Sequence, residues 1–452
     1  MHDTTRPTGT VAPAAVRADP LPQTVAGPPA PERQAAASTA VPSATGETTT
    51  TGRRSFVRLL RMAGPAFVVG CWGFGPGNLT TSIQAGSGFG YQLVWVVVAA
   101  TILMLTLTDM SVRIGIKSPV SLLTAVKQRL GTWVGYLAGC AVFVITLMFS
   151  VGNAVGSGLA LSMLFGGAPV FWSVVCTLAV AVVLVLRNVY GVMERVMIVA
   201  MALMALAFVL SAVLARPDWW LAVEGLVPRV PEGSTTIVIA LIGTCLSANA
   251  AFYSAYGTRE RRRTESQYRD ITVADTVPGI VAPGVMTALV ILVAAKVFDG
   301  PGEIASTIGQ LSSVFEPLAG SVGTWVFSLG FFAAAFSAMT ANATAGGTML
   351  SDALGKGASA STKAARIFSG VILTVGLVVT AIFQASPVQL IVIAQSLTVL
   401  TAPVLCFLLV YMATKAEFMG RLRDRWWQVA LGAVAFVVLG VFWVQLVIGL
   451  VS

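Results

Sequence analysis

Gly70 to Ser82 reads GCWGFGPGNLTTS, an apolar run with Gly75, Pro76, Gly77 and Asn78 at its centre. Proline removes a backbone donor and crowds the preceding turn, and glycine frees the chain on either side of it. If such a run crosses a membrane, the released carbonyls and amides must find partners in a place without water. A break of this kind marks a binding site, so the fold turns on whether the run is a membrane span.

Composition answers that first. The 452 residues are 56% hydrophobic and 10% charged, against about 25% charged in soluble domains. The mean hydropathy of +0.84 agrees with a polytopic membrane protein. The net charge of +9 sits in short loops between apolar runs, so it reports topology and gives no reason to expect nucleic acid as a partner. Cys71, Cys140, Cys176, Cys245 and Cys406 all lie in apolar segments, which predicts no disulfide framework. His2 is the only histidine, so a zinc cluster, a histidine proton relay or a Ser/His/Asp triad within the membrane is excluded. An enzyme is not expected, and no cofactor is implied.

Residues 1–52, rich in Pro, Ala and Thr, are expected to form a disordered cytoplasmic tail ahead of a transmembrane domain over 53–452. From Arg53 onward apolar runs alternate with polar loops at the length spanning helices require. They predict about eleven spans, at 63–83, 90–114, 134–164, 170–186, 192–214, 234–256, 273–298, 321–351, 366–384, 388–413 and 427–450. Every second loop is basic, among them TRERRRTESQYRD and the stretch holding Arg421, Arg423 and Arg425. The positive-inside rule then puts the N-terminus in the cytoplasm, and the odd span count puts the C-terminus outside the cell membrane. Trp219, Trp220, Trp426 and Trp427 fall at span ends as interfacial anchors.

The stretch GPAFVVGCWGFGPGNLTTSIQAGSGFGYQLVW resembles the first span of the Nramp family of divalent-metal transporters, whose pattern contains D-P-G-N and G-Y-x-L-L-W. SVRIGI, GLALSMLFG, LARPDWWLAVEGLVP, VADTVPGIVAPG and SPVQLIVIAQSLTVLTAP extend the resemblance from about Arg61 to Met412. The resemblance implies an all-α fold with the LeuT-like 5+5 inverted repeat, the first helix of each repeat broken at the midplane. Repeat one then covers about 63–214, repeat two about 234–413, and an extra helix about 427–450. Gly75, Pro76 and Gly77 become the break in span one. Its counterpart is expected in LIGTCLSANAAFYSAYG, where no proline or glycine occupies Leu246 to Asn249 and unwinding rests on Gly243, Ser247 and Asn249.

The resemblance stops short of the family's chemistry. Gly75 stands where the family has its metal-binding aspartate, Leu246 where it has methionine and Ala248 where it has histidine. Ser150 and Asn153 stand where a third-span acidic pair is associated with proton movement. Asn78, Asn249 and Gln395 remain, and with Gly75, Gly77, Gly243 and Ser247 they are the expected substrate-binding set. Cys71 and Cys245 are weak metal candidates, each read first as a small buried hydrophobe. Asp109, Arg113, Asn153 and Asp275 are candidate gate or coupling residues, Asp109 and Arg113 as an i, i+4 pair.

A site of amides and hydroxyls suits a dehydrated transition metal poorly, because stripping the water shell calls for charged or soft ligands. Two substrate classes follow: hydrated Mg²⁺, or a small organic solute whose carboxylate meets the bare amides of a half-helix N-terminus. Proton coupling by the family route is not expected. The alternative of another class is a receptor or scaffold that keeps the fold without transport. The bilayer and a small solute or ion are the expected partners.

Overall fold

The computed structural model describes residues 73–185, 202–299, 301–315 and 321–451. The expected tail, the first half of span one and Cys71 lie outside the described residues. Among the described residues there is no strand; seven helices are long and apolar enough to cross a membrane, eight if the bent pair Pro387–Leu400 and Ala402–Thr414 is one span, and shorter apolar helices lie at Pro169–Val185 and Ala202–Ala215 within two more of the expected spans.

Helix α1 (Pro76–Phe89) is the second half of span one, and α2 (Val94–Lys117) follows after a tight turn. Then come α3 (Thr132–Phe165), α4 (Pro169–Val185) and α5 (Ala202–Ala215). Span six is divided into α6 (Thr235–Cys245) and α7 (Ala248–Glu260), and span seven is α8 (Val277–Val297). The remaining spans are α9 (Ser321–Ala353), α10 (Lys363–Ile382), the pair α11 (Pro387–Leu397) and α12 (Ala402–Thr414), and α13 (Trp426–Val451).

The α11–α12 span bends by 42° at Thr401, a break that the sequence reading did not contain. Pro403, second residue of α12, has no N–H to continue the ladder, which places the bend. The 3₁₀ turn Thr398–Leu400 tightens the end of the first half.

Small residues set how closely the helices approach. A Cβ on Gly86 would lie 2.5 Å from the Ile291 carbonyl of α8, and one on Gly88 2.7 Å from Ile304. The GSGFG run of α1 is therefore a bed for α8 and for the loop after it, whose backbone Gln84 and Ser87 hold at Ala305. Two of the stretches that carried the family resemblance also dock on one another. Trp95 donates from both backbone and indole to the carbonyls of Gly225 and Arg229, and Asp218 caps the short helix Trp219–Glu224 by accepting from Trp220 and Leu221. Trp219, Trp220, Trp426 and Trp427 are all exposed at element ends.

Candidate functional site

Two helix breaks face each other at the centre of the bundle. In span one, Gly75 is extended (φ −88°, ψ −176°) at the N-cap of α1 and offers no side-chain cap, whereas Pro76 and Gly77, expected to be unwound with it, already form the first turn of α1, because proline at a helix start loses no needed donor. In span six the helix stops at Cys245, and ψ swings to 58° at Leu246 and 88° at Ser247 before α7 begins. Span six is thus interrupted without a proline or glycine at the break. Ser247 donates to Asn249 Oδ1 at 2.8 Å, a local side-chain bond that stabilises the non-helical corner. Gly243 stays helical; its part is a close approach, since a Cβ there would sit 2.3 Å from the Gln395 carbonyl.

The structure divides the expected substrate-binding residues between two sides of this centre. On one side lies Gln395 of α11, only 1% exposed, spread across Gly77 of α1 and reaching Gly152 of α3. A Cβ on Gly77 would fall 2.2 Å from Gln395 Cδ, and one on Gly152 would fall 2.8 Å from its Nε2. The amide fits because both neighbours lack a side chain. Gln395 Oε1 is buried without a hydrogen-bond partner, and so are Asn249 Nδ2, Asn153 Nδ2 and Ser150 Oγ, the last packed against Gly376 of α10.

On the other side is a cavity of about 40 Å³ between α1, α2, α6, α7 and α8. Asn78 faces it, holding Thr287 of α8 through Oδ1 at 2.9 Å and Cys245 Sγ through Nδ2 at 3.6 Å. Asn78 and Gln395, which the sequence reading grouped in one site, therefore work on different sides of span one. Thr101, Met104 and Thr287 complete the polar and sulfur-bearing lining together with Ser247. Sequence reasoning missed these residues of α2 and α8 because a threonine inside an apolar span carries no motif.

Of the candidate gate residues, Asn153 lies on α3 next to Gly152, and Asp109, Arg113 and Asp275 lie elsewhere. Arg113 reaches Asp109 at 2.8 Å and Asp424, from the loop before α13, at 2.6 Å. Tyr268 donates to Asp109 at 2.7 Å. Asp275, wholly buried in a π-helical turn over Thr272–Thr276, pairs with Arg263 at 2.6 Å. Tyr256 and Thr124 both donate to Asp352, at 2.5 and 2.9 Å. These groups gather near the basic loops. Burial raises the Asp424 pKa, the Asp109 charge adds to the rise, and Arg113 opposes it.

No group of three His, Cys, Asp or Glu able to hold a metal occurs among the described residues. The centre is neutral, built from amides, hydroxyls and backbone. Paired broken helices meeting inside an apolar bundle define a membrane transporter of the inverted-repeat kind.

Comparison with known proteins names the family. Residues 66–449 match the family described as natural resistance-associated macrophage protein-like, and the chain belongs to this Nramp family. It is similar to the divalent metal cation transporter MntH of Deinococcus radiodurans, 24% identical over 68% of this chain and 72% of that protein. It is also similar to the MntH of Yersinia pestis, 27% identical over 67% and 75%. A manganese transporter of Eremococcus coleocola shares the fold with a TM-score of 0.70 over 86% of this chain and 87% of the other, at 17% identity. MhsT, solved with L-phenylalanine, shares it at 0.55 and 15% identity over 84% of this chain and 98% of the other. The protein is an integral membrane protein with the LeuT-like inverted-repeat fold.

Proposed function

We propose that the protein carries a divalent metal cation across the membrane, taking the ion with part of its water shell retained, and that it does so without the carboxylate proton route of its family. The family and the names of its relatives support divalent-cation transport. The observation that carries the finer reading is the chemistry of the centre. Gly75, Leu246 and Ala248 bring no charge, thioether or imidazole, and Gln395 Oε1 is a buried oxygen with no partner in the protein.

Neutral oxygens do not repay the dehydration of a small divalent ion, whereas Mg²⁺ characteristically keeps several waters. Ser150 and Asn153 do not ionise, so protons have no family-type carrier along α3. A cytoplasmic N-terminus is part of this reading, supported by the distribution of basic loops under the positive-inside rule.

A second reading has its own observation. The N-terminus of α1 is uncapped at Gly75, and its free amides and positive dipole end suit a carboxylate supplied by a small organic solute.

Thermal stability of the purified protein, with uptake into proteoliposomes, separates these readings. Millimolar Mg²⁺ is expected to raise the melting temperature and to be taken up, with Mn²⁺ giving no tighter response. Micromolar, selective binding of Mn²⁺ would overturn the retained-water reading. A response to small carboxylates alone would establish the second reading, and silence towards the whole panel would favour a receptor or scaffold.

A further inference from the structure

Arginine crowds the short arm that carries the chain from α12 into α13, and the fold uses only one side of it. The arm runs through the short helix Ala416–Met419 and the 3₁₀ turn Gly420–Leu422 and enters α13 at Trp426. From Arg421 onward its residues alternate: Leu422 and Asp424 are buried, while Arg421, Arg423 and Arg425 are exposed. Arg113 of α2 fixes the buried side, reaching the Leu422 carbonyl at 3.1 Å and the Asp424 carboxylate at 2.6 Å. The Asp424 amide donates to the Ala413 carbonyl of α12 at 3.3 Å. Asp424 is thus committed inward and leaves its arginine neighbours in sequence uncompensated.

The exposed side has no such partner. Among the described residues none of the three guanidiniums enters an ion pair, and Lys415 adds a fourth cation at the start of the arm, 4.2 Å over the Tyr411 ring. Glu417 is the one exposed carboxylate between Lys415 and Trp427, so four cations stand against one anion on this surface. Trp426 and Trp427 follow directly, 83% and 44% exposed. An exposed indole at the end of an apolar span settles at the headgroup level of a bilayer, because its ring is apolar and its N–H polar. That depth sets the arginines beside lipid phosphates. Their planar forks match phosphate oxygens two at a time, and a surface of one sign draws anionic lipid.

We propose that the exposed side of this arm is a binding site for the headgroup phosphate of an anionic phospholipid, held by Arg421, Arg423 and Arg425 with Trp426 and Trp427 as its membrane-facing border. The depth set by the tryptophans favours lipid over free phosphate, and the excess of cations favours anionic over zwitterionic headgroups. Arg113 holds the opposite side in place, so the arginines are presented on an anchored arm. The site does not depend on which substrate the protein carries.

The test compares the full-length protein in detergent micelles supplemented with phosphatidylglycerol or, at the same mole fraction, phosphatidylcholine. Melting temperature is read in both, and native mass spectrometry counts the lipid molecules retained. Phosphatidylglycerol is expected to give a saturable rise of about 2 °C or more over phosphatidylcholine. Arg421→Gln, Arg423→Gln and Arg425→Gln together are expected to weaken phosphatidylglycerol binding at least tenfold and to leave the melting temperature in phosphatidylcholine unchanged, since Arg113 keeps Asp424. Removing the same charge around the start of α10, by Lys356→Gln, Lys363→Gln and Arg366→Gln, is expected to change binding less than twofold.

Equal responses to the two lipids would overturn the proposal. So would a phosphatidylglycerol response that survives in the arm variant, or one lost equally in both triple variants, which would mean diffuse charge without a site. Inorganic phosphate matching the lipid at equal concentration would also overturn it, making this a site for free phosphate. If the arm variant melts early in phosphatidylcholine, the three single substitutions decide: each is expected to weaken binding twofold or more, and no weakening in any of them would sink the site. Divalent-ion uptake by a protein that ignores phosphatidylglycerol would remove this inference and leave the proposed function standing; lipid binding without divalent-ion uptake would do the reverse.

Discussion

The centre of the molecule and its basic end solve the problem of buried polarity in opposite ways. At the centre, Asn78, Ser247, Asn249 and Gln395 are neutral, and two of their polar atoms, Asn249 Nδ2 and Gln395 Oε1, have no partner. Near the basic loops, Arg113 pairs with Asp109 on its own helix and with Asp424 across elements, Arg263 pairs with Asp275, and Asp352 accepts from Tyr256 and Thr124. A buried charge demands a partner, so the second region is fixed by electrostatics. A neutral amide costs less to leave unsatisfied and is free to meet a passing ligand. The chain has kept its charges where they hold helices together and has none where its family binds metal.

That contrast breaks most readily at Arg113. Its guanidinium is 3% exposed and stands between two carboxylates, so Arg113→Ala leaves Asp109 and Asp424 facing each other without a counter-charge. Breaking a buried pair in this way costs about 3–5 kcal/mol. Thermal unfolding in detergent is expected to show the largest loss of any single substitution considered for this protein. Retention of wild-type stability would mean that the basic end is not held by its charges.

The neutral centre is probed by size instead. Gly77→Ala places a methyl group against the Gln395 amide, where overpacking costs about 1–3 kcal/mol. The variant is expected to lose uptake in proteoliposomes more than it loses stability, and Gln395→Ala in the same chain is expected to restore the stability by vacating the space. If the double variant is no more stable than Gly77→Ala, the contact between α1 and α11 is not what the glycine serves.

Much of this was legible in the sequence, and what was not has physical reasons. The apolar spans and a helix start at Gly75 and Pro76 were readable because hydrophobic length and proline chemistry act locally, although Pro76 and Gly77 proved to be helical. The pairing of Asp109 with Arg113 was readable from their i, i+4 spacing. The interruption at Leu246 and Ser247 was harder, since it depends on one serine bonding to Asn249 and on α11 lying across Gly243. The separation of Asn78 from Gln395 was invisible, because neighbouring positions 77 and 78 point about 100° apart on a helix and only tertiary packing decides which direction meets which partner. Asp424 as the third member of the Arg113 cluster is a contact across 311 positions of chain, the difference between 424 and 113, and no local pattern announces it.

Asp424 supplies the finest test of the contrast, through pH. Burial raises its folded-state pKa above the ordinary 3.8, with the neighbouring Asp109 charge acting in the same direction and Arg113 against it. The folded protein therefore holds this proton more tightly than the unfolded chain does. The stability that the proton confers is complete at low pH. It falls as pH climbs from the ordinary carboxylate value, where the unfolded chain releases its proton, to the raised folded value, and it is level above that. Asp424→Asn removes this group's share of the slope, so the variant's melting temperature is expected to depend less on pH across that window than the wild type's. A variant whose slope matches the wild type would show that Arg113 fully compensates the buried carboxylate, and that the basic end is as neutral in its energetics as the centre is in its composition.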